Sequence, residues 1–475
     1  MRIPVPDEIL PADQLGRVHL VGIGGAGLSG IARLMHQAGI VVSGSDANDS
    51  VVVQALRREG ITVHVGHDAA HLEGVDTVVA TTAVREDNPE IVAALARGLR
   101  LWPRSAGLQS VLLGKDVVAI AGTHGKTTTT AMTVVALQEA GLDPTFAIGA
   151  EVASLGTNAR LGTAAVAVVE ADESDGAFLV YTPRIAVITN VDADHLDHWG
   201  TEEAYEEAFA EFARRAEVTL AERADLTDRT VGFSEGAQLR GHDLTVAGGR
   251  TRFRVADQGG DLARVELAVP GRHYAQDALL ALAVGIELGL DPDLLVRGLA
   301  KHQGAKRRME LVGSVGEAGS AVRVYDSYAH HPSEIRGDLE AARSLIEGTG
   351  RLVVCFQPHL VSRTRIFGEQ MGHELGAADE VVVMDVYVAR EDPDPEVTGA
   401  AVAAAVPLPA GRARFVADRD AVLDTVVGLA RPGDLVLTLG AGDVTTLAPL
   451  LVAALAEAKP RGSEASDRRR GHGEG

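Results

Sequence analysis

The stretch Asp116-Val117-Val118-Ala119-Ile120-Ala121-Gly122-Thr123-His124-Gly125-Lys126-Thr127-Thr128 decides how this chain is read. From Val117 to Ala121 it is a continuous apolar run, as a strand buried on both faces requires, and it enters a glycine turn without a linker. A helical stretch to about Ala140 follows, and Gly141 can close it. A glycine turn between a buried strand and a helix lets backbone N–H groups converge on phosphate oxygens, with the positive end of the helix behind them. Gly122, Thr123, His124, Gly125, Lys126, Thr127 and Thr128 are therefore expected to hold the phosphates of ATP. Lys126 would reach the β- and γ-phosphates and the Thr127 hydroxyl would reach Mg²⁺. The strict G-x-x-x-x-G-K-[ST] spacing is not met, because Ile120 stands where the first glycine belongs, so the loop is a variant.

The same strand, glycine turn and helix recur on both sides, which is the pattern of parallel α/β units. Toward the amino end, an apolar run over residues 17–21 leads into Gly22-Ile23-Gly24-Gly25-Ala26-Gly27 and a helical stretch over 28–38. A second strand over 40–43 ends near Asp46. Gly22, Gly24, Gly25 and Gly27, with Asp46 after the next strand, match a dinucleotide-binding fingerprint, and two glycine loops in consecutive units predict one for ATP and one for a second diphosphate. A nicotinamide oxidoreductase would explain this first loop but would leave Lys126 without a purpose. Toward the carboxyl end, apolar runs over 164–169 and 185–189 finish in Glu170-Ala171-Asp172-Glu173-Ser174-Asp175 and Asn190-Val191-Asp192-Ala193-Asp194-His195. Open α/β sheets place ligands at such strand ends, so Glu170 and His195 join Thr127 as candidate metal ligands. A zinc hydrolase would also use His and Asp at these places.

A third block alternates strands over 322–325, 352–356, 381–386 and 435–439 with helical segments. Asp326 and His330 follow the first of these strands, His359 and Arg363 follow the second, and Arg307-Arg308 lies at the junction with the middle block. Cationic and hydrogen-bonding groups at neighbouring strand ends can grip a carboxylate or a phosphate. At roughly 150 residues per domain, 475 residues leave room for about three. The expected division is 1–114, 115–307 and 308–459, with a disordered tail over 460–475.

With 66 Asp and Glu against 44 Lys and Arg, a formal charge of −22 demotes nucleic acid, since neutralising a polyanion needs clustered cations. Cys355 is the only cysteine, so neither an intrachain disulfide nor a thiolate cluster can form, and a reducing cytoplasm is expected. No uncharged apolar run is long enough for a membrane span, and no leader is expected.

Together these motifs resemble the Mur ligase family of ATP-dependent amide-forming enzymes, over nearly the whole chain and in the family's order. Besides the two glycine loops, the carriers are Glu170 to Asp175, Thr189 to His195, Gly271-Arg272-His273, Arg307-Arg308, Asp326 to Pro332 and Gln357 to Thr364. The resemblance implies an amino-terminal Rossmann-like domain for a UDP sugar, a central P-loop ATPase-like domain and a carboxy-terminal Rossmann-like domain. It implies that ATP converts the lactyl carboxylate of UDP-N-acetylmuramate to an acyl phosphate, which L-alanine then attacks. A recycling ligase that adds a preformed peptide to the same sugar nucleotide is the alternative. By the same resemblance Lys126, Glu170, His195 and Arg308 carry catalysis, and Thr127, Glu170 and His195 hold Mg²⁺. His273, Arg308 and Asp326 face ATP, Gly24, Gly25, Ala26, Gly27 and Asp46 face the UDP sugar, and His330, His359 and Arg363 face the amino acid or acyl phosphate. The chain departs from the family at Tyr274 and Asp277, where asparagines are usual, at Ser327, where a second Asp is usual, and at Met309, where Phe is frequent. No lysine occurs over 191–230 to serve as the carbamoylated metal aid of some related ligases.

Overall fold

A computed structural model describes residues 3–458, apart from positions 82, 83, 303, 305, 318, 347 and 390; the expected tail over 460–475 lies outside the described residues. The chain forms two compact units, Met1–Lys306 and Arg307–Gly475.

The first unit contains two sheets. The smaller one is all parallel, in the order Thr62–Val65, Val42–Asp46, Val18–Val21, Thr77–Ala80, Arg100–Pro103. The central Val18–Val21 is buried throughout, as a strand covered on both faces must be. The second strand starts later than the sequence suggests and takes in Asp46 as its last residue. Gly44 is required there, because a Cβ would lie 2.7 Å from the Leu20 carbonyl oxygen and 2.5 Å from Ile23 Cδ1. After the glycine turn, the helix Ala26–Gln37 buries Leu28, Ile31, Ala32, Leu34 and Met35, the apolar stripe of a 3.6-residue period.

One side of this sheet carries a buried polar network. Glu90, from the helix Pro89–Ala96, is fully buried; Ser45 Oγ donates to its Oε2 at 2.5 Å, His67 Nδ1 lies 3.1 Å from Oε2 and His71 Nδ1 lies 2.7 Å from Oε1. The buried His19 approaches Oε1 at 3.5 Å and pairs with Ser43 Oγ at 2.9 Å through its other nitrogen.

The larger sheet has ten strands. Its centre is parallel, in the order Arg229–Gly232, Val218–Ala221, Ile185–Ile188, Asp116–Ala121, Val166–Glu170, Thr145–Val152. Thr157–Arg160 closes one edge antiparallel to its neighbour, and Leu239–Ala247, Arg250–Asp257 and Gly260–Leu267 extend the other edge as a meander. The helix Glu202–Arg214 buries Phe209 and Phe212 against Phe178, and Tyr205 against Phe209. Burial of that kind contributes about 2 kcal/mol per side chain.

The second unit holds a six-stranded sheet in the order Glu310–Val315, Val322–Ser327, Leu435–Leu439, Leu352–Phe356, Glu380–Val383, Ala413–Phe415, parallel except for its first strand. Cys355 is buried in its centre, and that burial pushes its thiol up to about 12, so it packs as a small apolar group. Among the described residues, no helix is long and apolar enough to cross a membrane.

Candidate active site

The strand Asp116–Ala121 delivers the phosphate loop to the carboxyl edge of the larger sheet, and the helix Lys126–Glu139 begins at Lys126. Gly122 has φ +137° and Gly125 φ +81°, both in the region open to glycine. A Cβ on Gly122 would collide with Thr189 Oγ1, and one on Gly125 would lie 2.5 Å from Asp277 Oδ1. The segment after the next strand fixes the loop: His124 N donates to Asn190 Oδ1 at 2.9 Å, Asn190 Nδ2 donates to His124 O at 3.0 Å, and Thr123 Oγ1 donates to Asp192 O at 2.9 Å.

Lys126 and Thr127 point their side chains at two different carboxylates. Lys126 Nζ donates to Gly122 O at 2.6 Å, Thr123 O at 3.1 Å and Glu173 Oε1 at 3.0 Å. Burial works against its charge, but Glu173, Asp172 and Glu170 outweigh burial and raise its pKa. Burial likewise pushes the fully buried Glu173 upward. Thr127 Oγ1 donates to Glu170 Oε2 at 3.0 Å, and Gly149 N donates to the same oxygen at 2.7 Å. A hydroxyl and a carboxylate so placed are hard oxygen donors of the sort Mg²⁺ takes. His195 is the residue before a single helical turn, Leu196–Trp199, at φ +52°, with Nε2 3.8 Å from Glu173 Oε1. His273 opens the helix Arg272–Glu287, and one turn on, Asp277 Oδ1 accepts from Thr129 Oγ1 of the phosphate-loop helix at 3.1 Å. Tyr274 and Asp277, two of the four departures, are both buried.

In the first glycine loop, Gly24 N donates to Asp46 Oδ2 at 2.9 Å and Asn48 N donates to Asp46 Oδ1 at 3.1 Å, so Asp46 closes the loop on itself. Gly25 precedes the helix that Ala26 and Gly27 open. A cleft of about 200 Å³ joins this loop to the larger sheet, lined by Ala26, Gly27, Arg104, Ser105, Glu170 and Asp172 among others. Arg104 Nη2 donates to Asp172 Oδ2 at 2.7 Å. Burial opposes the charge on Asp172, but Arg104 and Lys126 outweigh it and hold the carboxyl well below the usual range. Sequence reasoning passed over Arg104, Ser105 and Gly149 and did not single out Glu173. An arginine opening a helix at the carboxyl end of the parallel strand Arg100–Pro103 was the signal for Arg104.

The remaining candidates belong to the second unit. Asp326 is the penultimate residue of the strand Val322–Ser327 and is wrapped by its own neighbours: Thr438 Oγ1 donates to Oδ1 at 2.6 Å, Thr445 Oγ1 donates to Oδ2 at 2.7 Å, and Arg307 Nε lies 3.3 Å from Oδ2. The guanidinium carbons of Arg307 and Arg308 lie 4.9 Å and 5.4 Å from the Tyr328 ring centre, a cation–π pair. Arg308 Nη1 also lies 3.4 Å from Glu334 Oε1. Arg307 and Met309 have φ +58° and +50°. His330 and His359 face each other edge on at 5.9 Å, His359 stacks on Tyr387 at 5.8 Å, and Arg363 Nη1 lies 3.5 Å from His359 Nδ1. Leu360, between them in sequence, has φ +67°. Asp338 is buried behind this edge, where Ser327 Oγ donates to it.

A phosphate loop at the carboxyl edge of a mostly parallel sheet, with a further α/β domain on each side of it in sequence, defines a three-domain nucleotide-using ligase. Three family models match in order: the Mur ligase family catalytic domain over residues 17–115, the Mur ligase middle domain over 120–285 and the Mur ligase glutamate ligase domain over 307–442. UDP-N-acetylmuramate–L-alanine ligase of Nocardioides sp. is 61% identical over 455 residues, 96% of this chain and 100% of that one. The protein of the same description from Kineococcus radiotolerans is 50% identical, over 94% of this chain and 97% of its own. Among solved structures, UDP-N-acetylmuramate-alanine ligase of Thermotoga maritima matches with a TM-score of 0.79 at 29% identity, over 93% of this chain and 100% of that chain. A murein peptide ligase of Psychrobacter arcticus matches at 0.70 and 25% identity, over 93% of this chain and 99% of its own. The chain belongs to the Mur ligase family.

Proposed function

We propose that this chain joins L-alanine to the lactyl carboxylate of UDP-N-acetylmuramate, using ATP and releasing ADP and phosphate. The observation that carries the reading is the meeting, in one cleft, of the first glycine loop with Glu170, which also pairs with Thr127 of the phosphate loop. The relatives at 61% and 50% identity are both named for L-alanine addition, and among solved structures the alanine ligase matches with a TM-score of 0.79 against 0.70 for the murein peptide ligase, which favours the single amino acid over a preformed peptide.

A carboxylate is a poor electrophile for an amine, since oxide would have to leave. Transfer of the γ-phosphoryl group to a lactyl oxygen gives an acyl phosphate; the amine of L-alanine adds to its carbonyl carbon, and phosphate leaves. Lys126 follows the negative charge as it moves onto ADP. Thr127 and Glu170, with His195, would hold Mg²⁺, which supplies neutralisation of phosphate charge. The peptide N–H groups in the first turn of the helix Lys126–Glu139 face the phosphates, with His273 alongside. Gly24, Gly25, Ala26 and Gly27 take the UDP diphosphate at the helix amino end, with Asp46 bracing the loop and Arg104 at the cleft wall. Arg308 and Asp326 serve the nucleotide, with Asp326 orienting Arg307, and His330, His359 and Arg363 receive the carboxylate of the amino acid or the acyl phosphate. The same reading divides the chain at 1–114, 115–307 and 308–459 and places it in the cytoplasm, without nucleic-acid or membrane partners.

The test is phosphate release by the purified protein with ATP, Mg²⁺ and UDP-N-acetylmuramate. Release that requires L-alanine supports the reading. Release only with a tripeptide acceptor moves the chain to recycling, and none with either acceptor overturns both.

A further inference from the structure

One hairpin ties Glu170 to the opening turn of the glycine-loop helix. Gly149, whose N–H holds Glu170 Oε2, lies on Thr145–Val152, and that strand returns as Thr157–Arg160 with Phe146 opposite Arg160 and Ala147 opposite Ala159. Asn158, on the return strand, is 5% exposed and reaches into the neighbouring domain of the same unit. Its Nδ2 donates to Ala26 O at 2.9 Å and to Ser29 Oγ at 3.3 Å, and its Oδ1 accepts from Arg33 Nη1 at 2.6 Å. Arg33 is anchored in turn by Glu59, through two bonds of 2.8 Å from Nε and Nη2. Further along the helix, Leu161 N donates to Gln37 Oε1 at 2.7 Å. Gly30 lets the two backbones approach, since a Cβ there would lie 3.3 Å from Ala159 Cβ and 3.4 Å from Asn158 Nδ2.

The peptide unit between Ala26 and Gly27 has two ends. Its N–H belongs to the helix start, where donors lack an intrahelical partner and an anion is attracted, and its carbonyl is held by Asn158. A diphosphate that draws the N–H toward itself therefore pulls on the hairpin that positions the carboxylate of Glu170.

We propose that Asn158 is a positioning residue that couples the two binding events: diphosphate at the first glycine loop and metal-nucleotide at Thr127 and Glu170. This rests on the function proposed above. Coupling of this sort is reciprocal, each ligand tightening the other by the same factor.

The test is titration calorimetry on the whole chain with UDP-N-acetylmuramate and with the Mg²⁺ complex of a non-hydrolysable ATP analogue, each alone and each with the other present. The native protein is expected to show mutual tightening of at least about five-fold. In Asn158→Ala the separate affinities should stay within about two-fold while the mutual factor falls to about one. Asn158→Asp, nearly the same shape, keeps an acceptor for Arg33 but loses the donor to Ala26 O and Ser29 Oγ, so it should lose coupling as well even if the alanine variant folds poorly. Undiminished coupling in either folded variant overturns the proposal, as does separate binding without mutual tightening in the native protein. Failure of the native protein to bind UDP-N-acetylmuramate at all would instead bring down the proposed function.

Discussion

Replacing Glu90 by Gln should destabilise the amino-terminal domain at neutral pH and leave it less affected in acid. Burial alone would raise the pKa of this carboxyl, but the close approach of His19 and hydrogen bonds from Ser45 and His71 outweigh burial and hold it at about 2 against an ordinary 4.5. At 1.36 kcal/mol per pH unit, that difference is worth about 3 kcal/mol to the folded state. Because the folded pKa is the lower one, the contribution is complete above pH 4.5 and fades as pH falls toward 2. Gln keeps the volume but removes the charge and turns an NH₂ toward groups that were donating to a carboxylate. Trp102, in the small sheet, reports unfolding of this domain once Trp199 is replaced by Phe in both proteins. With a urea slope of about 2 kcal/mol/M, the midpoint at pH 7 should drop by about 1.5 M. The gap should narrow by about half as pH is lowered from 4.5 to 3. A midpoint difference below about 0.3 M at pH 7, or one that does not change with pH, would refute the reasoning.

Lys126→Ala should lower phosphate release by at least about a hundred-fold while thermal melting stays near normal, because Glu173, already pushed upward by burial, takes a proton when its cation is removed. Near-normal turnover would sink the assignment of the loop. Arg104→Ala should raise the KM for UDP-N-acetylmuramate by about ten-fold and leave that for ATP within about two-fold, read from initial rates; equal effects on both would mean that Arg104 serves only its pair with Asp172. Asp338 is pushed up to about 7 by burial, against Ser327 and Arg308, so the folded state keeps a proton that the unfolded chain has released above pH 3.8. Stability of the native protein should therefore fall as pH rises between 3.8 and 7, and Asp338→Asn should gain on it over that window. Calorimetric melts giving the same difference at pH 5 and pH 8 would count against this.

The strands Asp116–Ala121, Leu352–Phe356 and Leu435–Leu439 were legible to the residue, because strands covered on both faces are nearly continuous apolar runs, with Thr438 the one polar residue inside these three, ended by polar or glycine signals. The meander Leu239 to Leu267 was missed, because every second residue is polar and the apolar partners are few. Phe253, Val255, Val265 and Leu267 do alternate, and with the glycine pairs at 248–249 and 259–260 they were the available signal. In the site, adjacency in sequence placed Lys126 beside Thr127, but it could not say which carboxylate of the acidic run each would meet. Lys126 turns to Glu173 and Thr127 to Glu170. Arg104 was hidden for a related reason: its partner Asp172 is 68 residues away and on another sheet. The Glu90 network is more hidden still, since its histidines come from a strand, a loop and a short turn with no common spacing.

Among the described residues, six positions other than glycine have positive φ, and four of them, His195, Arg307, Met309 and Leu360, are candidate residues or their immediate neighbours. Each departs from the preferred backbone by about 1 kcal/mol or more. Glycine or asparagine would relieve that strain, so stability screening should favour such replacements there. The variants it returns would melt higher and turn over more slowly, and an engineering programme for a hardier form of this ligase should hold these four positions fixed from the outset.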